Sequence, residues 1–256
     1  MRMLKLIAVC ICQVPDLLAA VAVVEGSLDL SRVAWVMNPY DEYALEEALR
    51  LKERFPGSAV VALAAAPEAG KELLQKALAM GADRAVEVRS SPLQDSFQTA
   101  WVLAEAIRNI CGQELPDLVL CGRESLDLQN ASVPAMLAGM LGMPFAGPVT
   151  ALRADGERLE MEREGDGGLE ILEASYPLVV SAEKGLNIPR KTGIRQVMEA
   201  RKKPLEIMQV SVLPDPLVRL AGAEPVSRKK VCRFADTPAE LVGLLHRGGF
   251  FNSAQE

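Results

Sequence analysis

Apolar runs of strand length alternate with helical patterns through more than half of the chain. "LKLIAVCI" is a continuous apolar run, as a strand buried on both faces would be. In "PYDEYALEEALRLKERF", which follows it, Tyr40, Ala44, Leu45, Ala48, Leu49 and Leu51 make one apolar face at helical spacing. Next come strand "SAVVALAA", helix "PEAGKELLQKALAM", the Gly81-Ala82-Asp83 turn, strand "RAVEV", helix "SFQTAWVLAEAIRNI", strand "DLVLCG" and helix "LQNASVPAMLAGMLG". This rhythm predicts parallel strands joined by right-handed helical crossovers, a doubly wound, mostly parallel α/β sheet. Such sheets bind ligands at the carboxyl ends of their strands, where the strand order reverses, so "CICQVPD", "AAAPE" and "CGRESLDLQN" are the segments of interest.

After Pro144 the period changes. "PVTALRAD", "GERLEMERE" and "GLEILEASY" alternate in twos and are separated by Asp155-Gly156 and "GDGG", which predicts antiparallel hairpin additions. "YPLVVSAE" then reads as a buried strand, followed by a Gly/Pro-shaped, basic segment. In it Ile194, Val197, Met198 and Arg201 fall at helical spacing before Pro204, amid Lys184, Arg190, Lys191, Arg195, Lys202 and Lys203. Residues 208–235 carry several prolines and little periodicity, an extended arm. A capping-box start at Thr237, Pro238 and Glu240 opens a last helix, closed by Gly248-Gly249. The predicted division is a lobe of residues 1–207 and an arm with a terminal helix over 208–256.

Composition narrows the functions. Half of the 256 residues are hydrophobic and the net charge is −6, which argues against a chain-wide nucleic-acid or membrane-surface role while allowing a local basic patch. The longest apolar runs fall well short of the roughly 20 residues of a membrane span, so no transmembrane segment is expected. The first residues carry no export pattern and the five cysteines are an odd number, so a cytoplasmic, reducing location is expected.

Catalytic chemistry is sparse. The one histidine, His246, sits near the end of the last helix, where a favourable dipole interaction is sufficient reason for it. Cys10 and Cys12 lie two apart on a strand without a second Cys/His cluster, and buried thiols explain them better than a metal pair. Phosphate-loop, nucleophile-elbow and dinucleotide fingerprints are missing, and "GDGG" sits between strands as a hairpin turn. From the residues alone, a stand-alone adenine-nucleotide-binding regulatory module and an adenylating enzyme are readings to weigh. The last usually has a Ser/Gly-rich loop after strand one, where this chain has "QVPD".

The blocks "CQVPD", "MNPYDEYALEEALRLKE", "ALAMGADRAVEV", "DLVLCGRESLD", "EREGDGGLEILEASYPLVVSAEKGLNIPR" and "MEARKKPLE" resemble, in order, the landmarks of the β subunit of electron transfer flavoproteins. The resemblance implies a Rossmann-like lobe of the adenine nucleotide α-hydrolase-like kind. It also implies an electron carrier without catalytic side chains of its own, in a heterodimer with an α subunit that holds a redox-active FAD, exchanging electrons with a flavin dehydrogenase such as an acyl-CoA dehydrogenase. The β subunit's own site would hold AMP, or a second FAD in members that bifurcate electrons. Positions matching that site are Cys10, Asn38, Ala65, Gly122, Asp127, Asn130, Ser132 and Val133, with Leu17 and Tyr40 near the α-subunit flavin. Ser132 and Pro134 stand where relatives usually carry Gln and Gly, and proline removes one amide from the phosphate turn. The basic segment resembles the family's recognition loop, with Ile194 as the inserted side chain and Leu186, Arg190 and Arg195 around it. The alternative reading of the residues is that Ile194 packs its short helix on the sheet.

Overall fold

The computed structural model describes residues 4–16, 18, 21–65, 70–112, 114–225 and 232–250. At its centre β1 (Leu6–Cys10) belongs to a seven-stranded sheet. The chain leaves β1 through a short ladder of β2 (Gln13–Pro15) with β5 (Trp35–Met37), between which lies the hairpin of β3 (Ala22–Val24) and β4 (Ser27–Asp29). Neither small ladder was legible in the sequence, because strands of three residues are too short to show a period.

α1 (Pro39–Arg54) returns the chain to β6 (Ala59–Ala65), α2 (Gly70–Met80) to β7 (Arg84–Arg89), and α3 (Ser96–Cys111) to β8 (Leu118–Gly122). α4 (Val133–Leu141) follows, then β9 (Phe145–Val149). β10 (Ala151–Asp155), β11 (Arg158–Gly165) and β12 (Gly168–Ser175) form the expected antiparallel sheet. β13 (Leu178–Ala182) re-enters the main sheet, whose order is completed by β14 (Leu205–Gln209) as β14-β7-β6-β1-β8-β13-β9, with every pairing parallel.

Two expectations are corrected here. The "PVT" segment was assigned to the antiparallel additions, yet β9 pairs in parallel with β13. And β14 was read as loop and tail, although it pairs with β7 along five residues and Val210 N–H donates to Arg89 O at 2.8 Å. As an edge strand with Glu206, Ile207 and Gln209 open to solvent, β14 lacks the continuous apolar run that reveals a central strand.

The core has two halves because the parallel sheet is covered on both faces. Alternate residues of β1 divide accordingly: Ile7 and Val9 pack with α1 and α2, and Ala8 and Cys10 with α3 and α4. The strand order reverses beside β1, since β6 lies on one side and β8 on the other, and a crevice opens above their carboxyl ends. α5 (Ile194–Ala200) and α6 (Pro238–Arg247) lie outside this frame, and α6 buries none of its residues. Among the described residues no helix is long and apolar enough to cross a membrane.

Candidate functional site

The crevice holds a cavity of about 330 Å³. Cys10 and Gly122 bring it the ends of β1 and β8, Ala65 the end of β6, and Asn38 the start of α1. Asp127, Asn130, Ser132 and Val133 supply the loop that opens α4. All eight positions picked from the sequence therefore meet at one cavity. The rest of "AAAPE" beyond Ala65 lies outside the described residues.

Their roles differ from one another. Asn38 occupies the N-cap of α1, where its side chain would ordinarily accept from the helix's own amides. Instead its Nδ2 donates to Glu124 O at 2.8 Å and its Oδ1 accepts from Leu126 N at 3.2 Å, so it holds the loop after β8. Gly122 is required by close approach: a Cβ there would sit 2.3 Å from Asp41 Oδ1.

The helix expected to begin just after Asp127 begins at Val133. Proline is tolerated in the first helical turn and not further in, so Pro134 fixes the start nearby. Residues 128–132 form a loop with two non-glycine residues in the left-handed region, Gln129 at φ 53° and Ala131 at φ 50°. Such conformations present successive backbone amides to one side, a form suited to an anion. Asp127 accepts from Leu128 N–H at 2.8 Å and does not cap α4. The Ser132 hydroxyl donates to Asn130 O at 2.8 Å, and Asn130 Nδ2 donates to Ser96 Oγ at 3.1 Å, tying this loop to α3.

Two parts of the lining were missed from the sequence. One is residues 92–96 after β7, together with Thr99 and Leu103 of α3. Asp95 caps α3 by accepting from Gln98 N at 2.9 Å, while its second oxygen accepts from the arm amides of Leu217 at 2.6 Å and Val218 at 3.0 Å. Burial raises its carboxyl, but these amides outweigh that and hold it below its ordinary value. The signal was available, since β7 ends at the same edge of the sheet as β1, β6 and β8. The other is Asp41, which lies three and four residues before Ala44 and Leu45 and hence on the buried face of α1, where a carboxylate is out of place.

The electron transfer flavoprotein domain family matches residues 26–213. The chain is 36% identical over 255 residues to the electron transfer flavoprotein subunit beta of Mycobacterium tuberculosis, covering 95% of this chain and 94% of that protein. It is 32% identical over 238 residues to the subunit of the same name from Syntrophomonas wolfei, covering 93% and 88%, and 34% identical over 208 residues to that of Homo sapiens, covering 81% and 78%. The chain belongs to the electron transfer flavoprotein β-subunit family. Electron transport by flavoproteins is what these relatives are named for.

The electron transfer flavoprotein lobe has its second candidate surface at residues 183–203, along the flank of α1. Asn187 Nδ2 donates to Tyr43 O at 2.9 Å and to Glu47 Oε2 at 3.0 Å. Arg190 donates to Glu46 through its backbone and guanidinium, at 2.8 Å from Nε, and to Glu53 at 2.7 Å. Arg190, expected in the docking rim, is thus committed to its own chain, and those hydrogen bonds raise its pKa further. Leu186, expected beside it, is 7% exposed and belongs to the core, so it has no face to offer a partner.

Ile194 is 84% exposed, which excludes the alternative that it packs α5 on the sheet; α5 lies beside α2 and buries Ala200 in the core. Arg195 is exposed and pairs with Glu199 at 2.9 Å. Ile188, not singled out in the sequence, is 91% exposed. Tyr40 lies at the crevice end of α1 with the Arg123 guanidinium 6.0 Å from its ring centroid, and Leu17 lies outside the described residues.

Proposed function

We propose that this chain is the β subunit of a heterodimeric electron transfer flavoprotein. In this reading it binds AMP in the crevice, docks on a flavin dehydrogenase of the acyl-CoA dehydrogenase type through residues 183–203, and wraps its α subunit with the part of 208–256 that follows β14. The FAD that accepts and passes on electrons is held by the α subunit, with Leu17 and Tyr40 near it. The observation that carries the reading is the meeting of all eight expected nucleotide positions at one crevice on the strand-order reversal.

The crevice fits the nucleotide in size and chemistry. A volume of about 330 Å³ lies at the small end of ligand pockets, roughly 300–1,000 Å³, and suits a mononucleotide better than a second FAD. Its described lining has carboxylates at Asp41, Asp95, Glu124 and Asp127 and no lysine, arginine or histidine. A phosphate would therefore rest on the amides of residues 131–133, at the positive end of α4, with the Ser132 hydroxyl turning from Asn130 O to reach it. Ile194, an exposed aliphatic side chain among charges, suits insertion into a small partner pocket with charge-steered encounter. The exposed α6 and the run of exposed Val212, Leu217, Val218 and Leu220 suit an arm that finds its burial on another subunit.

Co-expression with the α subunit tests the assembly. The full chain should purify as a yellow heterodimer, and truncation after Val212 should abolish or greatly weaken pairing while the lobe stays folded. A truncated chain that pairs at full strength would remove the arm's assignment.

A further inference from the structure

We propose that Asp41 is a positioning residue that keeps the crevice in shape by fastening the exit of β1 and the end of β8 to the first turn of α1. The inference rests on the nucleotide reading above. Asp41 Oδ2 accepts from Cys12 N–H at 2.7 Å, and Oδ1 accepts from Gly122 N–H at 2.8 Å. Both amides line the cavity, at the exit of β1 and the end of its neighbouring strand β8, 29 residues before and 81 residues after the carboxylate. Asn38, one turn earlier, adds three bonds of the same sense, donating its own amide to Cys12 O at 3.0 Å and holding Glu124 and Leu126 through its side chain.

Gly122 makes the contact possible, since any side chain there would occupy the place of the carboxylate. Only a group with two acceptors and no donor satisfies both amides. Asparagine would turn an N–H against one of them, and serine would reach one at most. The carboxylate is 4% exposed, and its hydrogen bonds come from the two amides, the Cys12 thiol and Asn38, dipoles rather than a cation. Burial pushes its pKa to about 6, so the fold keeps an ion there against its own stability. A site retained at a cost to the fold is retained for what it positions.

Around Asp41 the titratable groups are Cys10 and Cys12 at the end of β1, Cys121 of β8, Glu124 and Asp127 of the following loop, and Tyr40 beside it, with Arg123 over the Tyr40 ring. Burial and Asp41 push the Cys12 thiol well up, so it stays a neutral donor. Protonation of Asp41 leaves one good acceptor for two amides, which slackens the clamp while relieving the buried charge. Affinity for AMP and stability of the fold therefore move in opposite directions as Asp41 titrates.

The test uses the purified heterodimer, stripped of nucleotide, with AMP binding measured calorimetrically near pH 7.5 and near pH 5.5 for wild type and Asp41→Asn. FAD content and melting temperature report folding. The variant should bind AMP at least tenfold more weakly near pH 7.5 with unchanged FAD content. Wild type should lose affinity at the lower pH by more than the variant does, the titration of the AMP phosphate being common to both. Asp41→Asn binding within twofold of wild type at both pH values would overturn the inference and leave the nucleotide reading intact. Wild type that binds no AMP at either pH would overturn both. Should Asp41→Asn fail to assemble, Asp41→Ser and the wild-type profile decide, and an affinity that does not fall between the two pH values, or a serine variant that binds like wild type, would overturn it.

Discussion

The crevice and the segment 183–203 are both fastened to α1, but they spend its side chains differently. At the crevice, the first turn of the helix holds two strand ends through Asn38 and Asp41, and polar groups are consumed so that a concave surface keeps its shape. Along the flank, Glu46, Glu47 and Glu53 hold Asn187 and Arg190, and the backbone so fixed turns Ile188 and Ile194 outward. In the first region buried polar groups shape a hollow. In the second they brace a loop whose Ile188 and Ile194 are left uncovered by the described residues. One helix thus relates both surfaces, and the comparison is open to test by separating what braces from what contacts.

The largest effect should come from the brace. Arg190→Ala leaves Glu46, nearly buried, without its cation; with the guanidinium itself a third exposed, the loss of stability should be about 2–3 kcal/mol, a fall in melting temperature of roughly 5–10 °C by calorimetry. A variant that melts like wild type would show that the loop is held by something else. Next in size is the contact. Ile194→Ala removes about three methylene equivalents at roughly 0.8 kcal/mol each, near 2 kcal/mol or about 30-fold in affinity for the dehydrogenase, read from the dependence of electron transfer on its concentration. Its melting temperature should stay within about 1 °C of wild type, as for an exposed side chain. Lost stability with unchanged transfer would reverse the assignment of brace and contact.

The two regions were not equally legible in the sequence. Local period reports burial, so the strands and helices of the lobe, the capped α6 and the β10–β12 hairpins could be read directly. β14 escaped because an edge strand alternates weakly, and β2 to β5 because they are too short. The crevice residues came from the family resemblance, and Cys10, Ala65, Gly122, Asp127 and Asn130 among them also fall in the strand-end segments that the fold class makes functional. Asp41 was legible only as a charge on an apolar stripe, and its meaning needs the two amides that the fold brings to it. Arg190 and Leu186 looked like parts of a docking rim because charge and hydrophobicity carry no direction. Which way they face depends on Glu46 and the core, 144 residues away in the case of Arg190.

A smaller effect sharpens the crevice side. Burial raises the Asp41 carboxyl from 3.8 to about 6, so the protonated form is favoured in the fold. Its contribution to stability is fully present below the unfolded value and is lost as pH rises through the folded one. Between about pH 5 and about pH 7 the fold should lose on the order of 1 kcal/mol from this group. Denaturant titrations should show that slope in wild type and lack it in Asp41→Asn. Smallest is Asp95→Ala, which removes the cap of α3 at a cost of about 1 kcal/mol. It also frees the Leu217 and Val218 amides, whose hydrogen exchange should quicken while that of β1 does not.

The most direct test of the central claim is the count of flavin and adenine nucleotide released by denaturing freshly purified heterodimer. One FAD and one AMP per heterodimer are expected. A protein with one flavin and no adenine nucleotide, whose melting temperature moves with neither added AMP nor added FAD, would contradict the account: the crevice would then have kept its shape without its ligand.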